Sequence, residues 1–394
     1  MEIWRYRSMN VLLINYEYPP VGGGAANATL FLARAFRDLG HVPVVLTTAY
    51  ANFSGHTYED GIHVWRLPSR RRRVDSSNMI EMASFAASAL RRATGIARQY
   101  SIDGAIAFFT LPCGPVACSL NRTLGIPYVV SLRGGDVPGH LTSLAWMHWI
   151  TKPLRRSVLR QSLAIVANSA GLAATSQAAD PFPVQVIPNG VDCRLFSPRK
   201  QPAPSSGPFR ILFVGRVHKE KNLALALHQI ASLPEAIRDR LELSVAGDGP
   251  QRLELQELAR ALGLSAHISW LGWQEKDLLP ELYRHADVII NPSLYEGMSN
   301  TVLEAMASGL PVVASDVPGN QAVVISGETG VLFPLRDPNA FGSALTRLAT
   351  DSPWRLELGA RGRKRAESKF SWTAAAQGYV DLLHATKPAP TSND

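Results

Sequence analysis

The chain has 394 residues, of which 46% are apolar and 18% charged, with 40 Lys+Arg against 32 Asp+Glu. At roughly 100–200 residues per domain this length predicts two domains, and the composition excludes an intrinsically disordered chain. Residues 1–200 carry 21 basic and 11 acidic side chains, whereas residues 201–394 carry 19 and 21, which favours an anionic partner for the first half.

Signal peptides, membrane spans and cysteine frameworks have little support in the sequence. The apolar run 11–14 is too short for the core of a signal peptide, and prolines and a glycine interrupt the longest uncharged stretch, 104–121. Three cysteines without a CxxC spacing predict neither a disulfide framework nor a zinc site. We therefore expect a cytoplasmic protein, with peripheral contact to the cytoplasmic membrane face left open. Met9, just before the first predicted strand, is an alternative start.

The first half alternates short apolar strands with longer helical patterns. Strand Asn10–Asn15, a glycine-rich loop, helix Ala25–Leu39 and strand Val42–Thr48 form a βαβ unit, whose crossover should be right-handed and whose strands should be parallel. Further predicted strands are Ala105–Phe109, Tyr128–Leu132, Ala164–Ala167 and Gln185–Ile187.

A proline-rich segment, Pro198–Pro208, predicts a linker, after which the alternation restarts. The second half therefore predicts another doubly wound α/β domain. The predicted strands are Arg210–Val214, Leu241–Ala246, His267–Leu271, Val288–Asn291 and Pro311–Ser315; the predicted helices are Asn222–Leu233, Gln251–Leu262, Leu278–Ala286, Thr301–Ser308, Ala340–Leu348, Trp354–Lys369 and Trp372–Ala385. Parallel α/β domains bind ligands at the carboxyl ends of their strands, so the loops after strands are the candidate sites.

The richest such loop is 291–315, in which a strand ends, Glu296 and Gly297 follow, and a helix begins near Ser299–Thr301. The helix N-terminus offers amide groups that would bind phosphate. Thr301-x-x-Glu304 is also a capping-box pattern, which would by itself explain Glu304. Glu296 has no capping role; the alternative to a functional role is that it is simply a solvated loop residue.

Three other loops follow predicted strands. Arg216 and Lys221 come after the strand that ends near Gly215 and are placed to hold a diphosphate, unless they form only a solvated charged turn. Gly22–Gly24 precedes a helix, where substrate can approach the backbone closely, and it lacks the dinucleotide pattern because residue 27 is asparagine. Arg133 and Asp136 flank two glycines and either contact sugar or phosphate or pair with each other.

Segment 146–160 mixes tryptophans and aliphatic residues with four basic residues. This mixture suits an interfacial segment on anionic lipid, and a helix with a solvated basic face is the alternative. Nucleic acid is disfavoured because no known binding module is present.

Taken together, these segments resemble the retaining glycosyltransferases of the GT-B fold, specifically family 4. Glu296 and Glu304 match its E-x7-E motif, and Gly215, Arg216 and Lys221 match its G-R-x(n)-K-N segment. Residues 186–192 match the segment that leads into the interdomain linker, and the glycine loop stands in its expected place. The resemblance covers nearly the whole chain. It implies two Rossmann-like α/β domains that face a cleft: 9–197, which binds the acceptor, and 209–371, which binds a nucleotide-sugar. A helix at 372–386 would pack back on the first domain.

The resemblance also implies roles for residues. Glu304 would hold the ribose, the loop 271–273 would contact the base, and Arg216, Lys221 and the amides near Ser299 would hold the diphosphate. The predicted catalytic residues are Glu296, Arg216, Lys221 and Asp136. The predicted donor-binding residues are Gly215, Arg216, Lys221, Leu271, Gly272, Glu296, Gly297, Met298, Ser299, Asn300, Thr301 and Glu304; the predicted acceptor or phosphate loop comprises Gly22, Gly23, Gly24 and Arg133.

The expected activity is transfer of a sugar from a UDP- or GDP-type donor to an acceptor hydroxyl with retention, in cell-surface polysaccharide, lipopolysaccharide or glycolipid synthesis. Because the chain has no D-x-D, we expect no metal and no other cofactor. Many relatives have histidine where this chain has Arg133, so the role of that histidine is not carried over to Arg133, whereas Asp136 matches. The alternatives are a non-catalytic nucleotide-sugar-binding or membrane-surface adaptor, a GT-B nucleotide-sugar epimerase and, third, an oxidoreductase.

Overall fold

The computed structural model describes residues 8–74, 77–139, 145–200, 207–337 and 339–385. The strands are Asn10–Ile14 (β1), Val42–Thr48 (β2), Gly55–Glu59 (β3), Ile62–Leu67 (β4), Gly104–Phe108 (β5), Tyr128–Leu132 (β6), Ala164–Ala167 (β7), Gln185–Val186 (β8), Phe209–Val214 (β9), Leu241–Ala246 (β10), Ile268–Gly272 (β11), Val288–Asn291 (β12), Val312–Ser315 (β13) and Val331–Phe333 (β14). The helices are Gly24–Asp38 (α1), Met79–Gln99 (α2), Gly114–Leu124 (α3), Ala145–Gln161 (α4), Ala170–Ala179 (α5), Leu223–Ala231 (α6), Glu235–Arg238 (α7), Arg252–Ala261 (α8), Leu279–His285 (α9), Asn300–Ala307 (α10), Pro318–Gln321 (α11), Asn339–Thr350 (α12), Ser352–Lys369 (α13) and Trp372–His384 (α14).

The chain divides into two compact units. Unit 1 comprises residues 1–190 and 372–394, and unit 2 comprises 191–371. Unit 1 contains one eight-stranded sheet in the order β3-β4-β2-β1-β5-β6-β7-β8, in which only the β3–β4 pair is antiparallel. Unit 2 contains a parallel six-stranded sheet in the order β11-β10-β9-β12-β13-β14. Two parallel α/β units are therefore present, as the alternating pattern predicts.

Apolar strands form the centre of each sheet, because helices cover both faces of a parallel sheet and exclude water from it. Every residue of β5, β6 and β12 is buried. In unit 1, α14 packs on α1 and contributes Tyr379 and Val380 to the core. The Tyr379 hydroxyl also lies 2.7 Å from the Ser131 hydroxyl of β6, so this last helix is an integral part of unit 1.

The boundary between the units differs from the prediction. Residues 191–197, expected at the end of the first domain, belong to unit 2. The Val191 amide donates to the Phe370 carbonyl at 2.9 Å, and the buried Phe196 ring packs edge-on against Tyr283. These contacts involve residues distant in sequence, which no local pattern reveals. Part of the predicted linker, 201–206, lies outside the described residues, as do residue 386 and the tail after it.

The sequence pattern also missed elements at the sheet edges. The β3–β4 hairpin was not predicted, because β3 is a polar edge strand whose residues are almost all exposed. The short β14 was missed as well. With three residues, Val-Leu-Phe, β14 is too short to show the apolar periodicity that identifies a strand.

Candidate active site

Lys221 and Glu296 form an ion pair at the carboxyl ends of the adjacent strands β9 and β12. The Lys221 Nζ lies 2.5 Å from the Glu296 Oε1, and only 11% of the Glu296 side chain is exposed. Burial alone would raise the pKa of the Glu296 carboxyl, but the Lys221 ammonium and its hydrogen bond hold that pKa below its usual value. The structure thus brings together a cation and a carboxylate that are 75 residues apart in sequence.

Two side chains that sequence reasoning missed fix the Glu296 carboxylate. The Ser293 hydroxyl donates to the same Oε1 at 2.8 Å, and the Asn291 amide approaches it at 3.4 Å. The loop as a whole is tied to the Lys221 loop, since the Leu294 amide donates to the Glu220 carbonyl at 2.8 Å. Both missed residues directly follow or end β12, so their place after a strand was the available signal.

The Lys221 loop takes its shape from two backbone conformations. Gly215 has a φ of +153°, and Asn222 has a φ of +50° just after the short 3₁₀ turn 219–221. Glycine tolerates such angles, and asparagine is the side chain that most readily adopts the left-handed region. Arg216 points outward with 44% of its side chain exposed and with Glu220 4.0 Å away. The loop thus carries an exposed guanidinium near one carboxylate and a partly buried ammonium paired with another.

Glu304 lies inside α10 and is held by a residue from another helix. The Tyr283 hydroxyl of α9 donates to the Glu304 Oε2 at 2.9 Å, and both side chains are buried. Burial raises the pKa of the Glu304 carboxyl, although Lys276 and Tyr283 oppose the shift. The Tyr283 contact was not predicted, because a single tyrosine 21 residues away gives no local signal.

The capping-box interpretation of Glu304 is wrong. Ser299 is the N-cap of α10 and its side chain accepts from the Val302 amide. The helix begins at Asn300, so Glu304 lies in the second turn and does not reach the cap. The Ser299 hydroxyl also accepts from the Asn291 amide at 2.9 Å and lies 3.1 Å from the Thr301 hydroxyl, which joins the helix start to the Glu296 loop.

The remaining predicted donor residues of unit 2 have mixed environments. Leu271 and Gly272 end β11; Leu271 is 37% exposed, and the Gly272 carbonyl accepts from the Gly247 amide at 2.8 Å. Met298 is only 7% exposed and belongs to the apolar core of unit 2, so its side chain packs in the core under the loop. Gly297 lies between Glu296 and Met298 and adds no side chain to the loop.

In unit 1, Asp136 is surrounded by donors. Its Oδ2 accepts from the Thr110 amide at 2.8 Å and hydroxyl at 3.2 Å, and its Oδ1 accepts from the amides of Arg133 and Gly134 at 3.0 and 3.2 Å. The carboxylate therefore ties the loop after β5 to the loop after β6. Asp136 accepts from the backbone amide of Arg133 and not from its guanidinium, so the alternative in which these two side chains pair is wrong.

The glycine loop of unit 1 is closely packed at one position and open at the next. A Cβ on Gly22 would lie 2.7 Å from the Glu17 side chain, and φ is +96° there. Gly23 has nothing within 4 Å of its Cβ position, and Gly24 begins α1. Only Gly22 therefore requires glycine for packing, while Gly23 leaves open space before the helix N-terminus.

Both units are α/β folds built on largely parallel sheets, and the second has an ion pair and a helix N-terminus at its strand ends. This combination defines the class of two-domain glycosyltransferases with the GT-B fold. The family comparison agrees. The model of "Glycosyl transferases group 1" matches residues 197–365, and that of "Glycosyl transferase 4-like domain" matches residues 23–190. The chain belongs to the group 1 glycosyltransferases.

The chain is similar to named proteins along most of its length. It is 31% identical to a D-inositol 3-phosphate glycosyltransferase of Frankia alni over 70% of this chain and 73% of that one. Its fold is similar to a sucrose-phosphate synthase from Thermosynechococcus elongatus, with a TM-score of 0.82, 24% identity and coverage of 96% and 100% of the two chains. It is also similar to Anabaena HepE solved with UDP-glucose, with a TM-score of 0.75, 19% identity and the same coverage.

Proposed function

We propose that this chain transfers a sugar from a nucleoside diphosphate sugar to an acceptor hydroxyl with retention at the anomeric carbon. The observation that carries the proposal is the Lys221–Glu296 pair beside the N-terminus of α10. Arg216, Lys221 and the α10 amides would hold the diphosphate, Glu304 the ribose, and the Leu271–Gly272 end of β11 the base. The UDP-glucose in the similar HepE structure favours a UDP-sugar over a GDP-sugar.

In the proposed reaction, the acceptor oxygen forms a bond to the anomeric carbon on the face from which the diphosphate departs. The bond between that carbon and the diphosphate oxygen breaks, and its electron pair stays on the diphosphate. The acceptor proton passes to a departing phosphate oxygen. Positive groups placed where this negative charge develops lower the barrier, so Lys221 and Arg216 would supply the charge that a metal supplies elsewhere.

The proposal places the acceptor on unit 1, at Gly22–Gly24 and Arg133, with Asp136 as the residue that positions the loop. The products would belong to cell-surface polysaccharide, lipopolysaccharide or glycolipid synthesis. Two alternatives make different products: a nucleotide-sugar epimerase releases the free nucleotide without glycosylating anything, and an adaptor releases nothing. Product analysis with candidate acceptors therefore separates all three.

Donor binding gives the first test of the proposal. UDP-glucose or a related donor at 100 times its Kd should stabilise the folded chain by about 2.7 kcal/mol, which raises the unfolding temperature by several degrees. Glu304→Gln should weaken donor binding by about 10-fold or more, because a hydrogen bond to a charged group contributes about 1.5–3 kcal/mol. Thermal unfolding across a set of nucleotide-sugars measures both effects.

Glu257→Gln is the matched control for Glu304→Gln, since Glu257 is exposed on α8 in the same unit. This variant should bind the donor as the parent chain does. Equal donor affinity in all three proteins would remove Glu304 from the donor site. Absence of a shift with every nucleotide-sugar would contradict the proposed function itself.

The proposal includes peripheral contact with an anionic membrane through α4. Five apolar residues of this helix are exposed at positions i, i+3, i+4, i+7 and i+8, with Trp149 79% exposed. They are Trp146, Trp149, Ile150, Pro153 and Leu154. Such a stripe normally faces a protein core, yet here the core side is formed instead by residues such as Val158 and Leu159.

Charge supports an anionic surface as the occupant of this stripe. Lys152 and Arg160 are exposed on α4, and the helix contains no acidic residue, while the partly exposed Arg156 is paired with Asp180. Tryptophan favours the boundary between headgroups and acyl chains, and each nearby cation adds about 1 kcal/mol on anionic lipid. No helix in the described part of the chain has the length and apolar character to cross a bilayer.

Removing the two α4 tryptophans should weaken vesicle binding. We expect Trp146→Ala/Trp149→Ala to bind vesicles of phosphatidylcholine and phosphatidylglycerol at least about 10-fold more weakly, because two large apolar side chains no longer enter the interface. Sedimentation with these vesicles measures the change. Trp273→Ala, which removes a 62% exposed tryptophan of unit 2, is the control. Equal binding by both variants, or equal binding to vesicles of phosphatidylcholine alone, would contradict the contact.

A further inference from the structure

The carboxyl edge of the unit 1 sheet holds two arginines, Arg71 and Arg133, that lack the ion pairs of the buried arginines elsewhere in this unit. Arg66 and Arg155 are buried and form ion pairs with Glu59 and Asp180. Arg71 is also buried, with 8% exposure, and Arg133 is half-buried, but among the described residues neither of the two forms an ion pair. A desolvated guanidinium without a counter-ion is unfavourable, and proteins normally pair such a group.

Arg133 follows β6 and lies over an aromatic ring. Its guanidinium carbon is 4.5 Å from the Phe108 ring centre, and its Nη1 donates to the Asn189 side chain at 2.7 Å. Its Nε is buried and has no hydrogen-bond partner among the described residues. Burial lowers the pKa of this guanidinium, which nevertheless remains charged at any physiological pH. One buried donor of a half-buried cation is thus unsatisfied at the end of a strand.

Asp136 acts on the Arg133 charge electrostatically but accepts no hydrogen bond from its guanidinium. All four hydrogen bonds of the Asp136 carboxylate come from backbone amides and the Thr110 hydroxyl. Both carboxylate oxygens therefore already accept hydrogen bonds that hold the loop. The Arg133 guanidinium therefore lacks the bidentate carboxylate partner that arginine geometry favours.

Arg71, beside the glycine loop, also has one buried N–H donor without a hydrogen-bond partner in the described chain. Its Nε and Nη2 donate to the carbonyls of Arg73 and Val74 at 2.8 and 3.1 Å, while its Nη1 is buried without a partner in the described chain. The Val74 carbonyl also accepts from the Gly22 amide at 2.7 Å. Arg71 is therefore part of the turn that holds the glycine loop.

A line of aromatic side chains lies along the edge that carries both arginines. The Arg71 guanidinium carbon is 6.0 Å from the Tyr16 ring centre, and the Tyr16 and Phe109 rings are 5.2 Å apart. Phe109 adjoins Phe108, over which Arg133 lies. Tyr16, Phe109 and Arg133 follow β1, β5 and β6, which are consecutive in the sheet. Both cations thus lie at the carboxyl edge of one sheet, and Arg71 adjoins the glycine loop there.

We propose that Arg133 and Arg71 form an oxyanion subsite of unit 1 that binds a phosphate or carboxylate group of the acceptor. A planar guanidinium with an unpaired N–H matches two oxygens of such a group, and the ligand would supply the missing counter-charge. The identification of the ligand with the acceptor rests on the proposed function; the subsite itself does not. The acceptor class that this subsite selects is an anionic hydroxyl compound.

Inorganic phosphate and formate are the probes for the test. Thermal unfolding of the full chain is followed at increasing phosphate or formate, with ionic strength matched by chloride and with UDP present to occupy the donor site. We expect saturable stabilisation by at least one of the two anions. Phosphate alone would indicate a phosphorylated acceptor, and formate alone a carboxylate-bearing one. No saturable shift with either anion would overturn the proposal.

The variants separate this subsite from general anion effects. Arg133→Gln should reduce the apparent affinity for the effective anion at least about 10-fold, whereas Arg91→Gln, which removes an exposed cation from α2, should leave it unchanged. Equal affinities in both variants would overturn the proposal.

A charge-conserving variant keeps the test decisive even where Arg133→Gln does not fold. Arg133→Lys retains the charge but loses the planar fork, and we expect several-fold weaker anion binding. Parent-like affinity would contradict guanidinium recognition. Because UDP-glucose binding is measured separately, a failed donor test with an intact anion response would reject the proposed function and leave the subsite standing.

Discussion

Replacing Lys221 with methionine should reduce kcat for sugar transfer by a factor on the order of 10²–10³, the usual effect of removing one preorganised group that stabilises developing negative charge. The Lys221 Nζ lies 2.5 Å from the Glu296 Oε1, and Lys221 ends the 3₁₀ turn in the loop between β9 and α6. Under the proposed mechanism the charge on the leaving diphosphate grows beside this ammonium. Steady-state kinetics with the donor found by thermal unfolding measures the loss.

Removing Lys221 also leaves Glu296 buried without its counter-ion, so stability has to be separated from catalysis. In the parent chain the pKa of Glu296 is lowered, and its stabilising contribution should persist above the unfolded-state pKa and disappear only as the pH falls through the folded-state pKa. In Lys221→Met, burial should instead raise the pKa of this carboxyl. Acidification from neutral pH should then restore part of the lost stability, because protonation removes the buried charge.

Two further variants complete the argument. Lys221→Met/Glu296→Gln should recover stability at neutral pH without recovering kcat, since the buried charge is gone but the ammonium is still absent. Lys219→Met removes an exposed lysine from the same 3₁₀ turn and should change kcat little. A Lys221→Met enzyme with nearly normal kcat would reject the assigned role.

The sequence was most informative where a single local pattern identified a strand or a candidate site residue. Strands such as β5 and β6 are buried along their whole length, so their apolar runs identified them. Arg216, Lys221 and Glu296 were found because each follows a predicted strand, and parallel strands end at a common edge. The two α/β units and the family were therefore predictable from the sequence.

The support of the site was not predictable, because it depends on contacts between segments distant in sequence. The Tyr283 hydroxyl bonds Glu304 from another helix. The Val191 amide bonds the Phe370 carbonyl, although these two residues lie at opposite ends of the unit 2 sequence. Arg71 is one of four consecutive arginines, 70–73, and it alone in that run is buried. Burial and pairing are properties of the folded chain, and composition describes neither.

Gly319→Ala should inactivate the enzyme almost as strongly as the Lys221 substitution, although Gly319 carries no functional group. A Cβ at this position would lie 2.3 Å from the Glu296 carbonyl oxygen and 2.6 Å from its Cβ. Both contacts are closer than real Cβ atoms approach, and the first is with backbone, so the Glu296 loop has to move. A displacement of about 1 Å at a reacting centre reduces rates by about 10²-fold, and overpacking costs typically about 1–3 kcal/mol of stability.

The control for this substitution is Gly95→Ala in α2, where nothing lies within 4 Å of the added Cβ. It should stabilise the chain by about 0.5–1 kcal/mol through helix propensity and leave kcat unchanged. Measuring kcat and the unfolding temperature for both variants separates displacement of Glu296 from a general effect of added methyl groups. A folded Gly319→Ala enzyme with parent-like kcat would mean that the position of Glu296 is not needed for transfer. Loss of kcat with a parent-like unfolding temperature would instead assign the effect to the geometry of the Lys221–Glu296 pair, because only that loop meets the new methyl group among its nearest contacts.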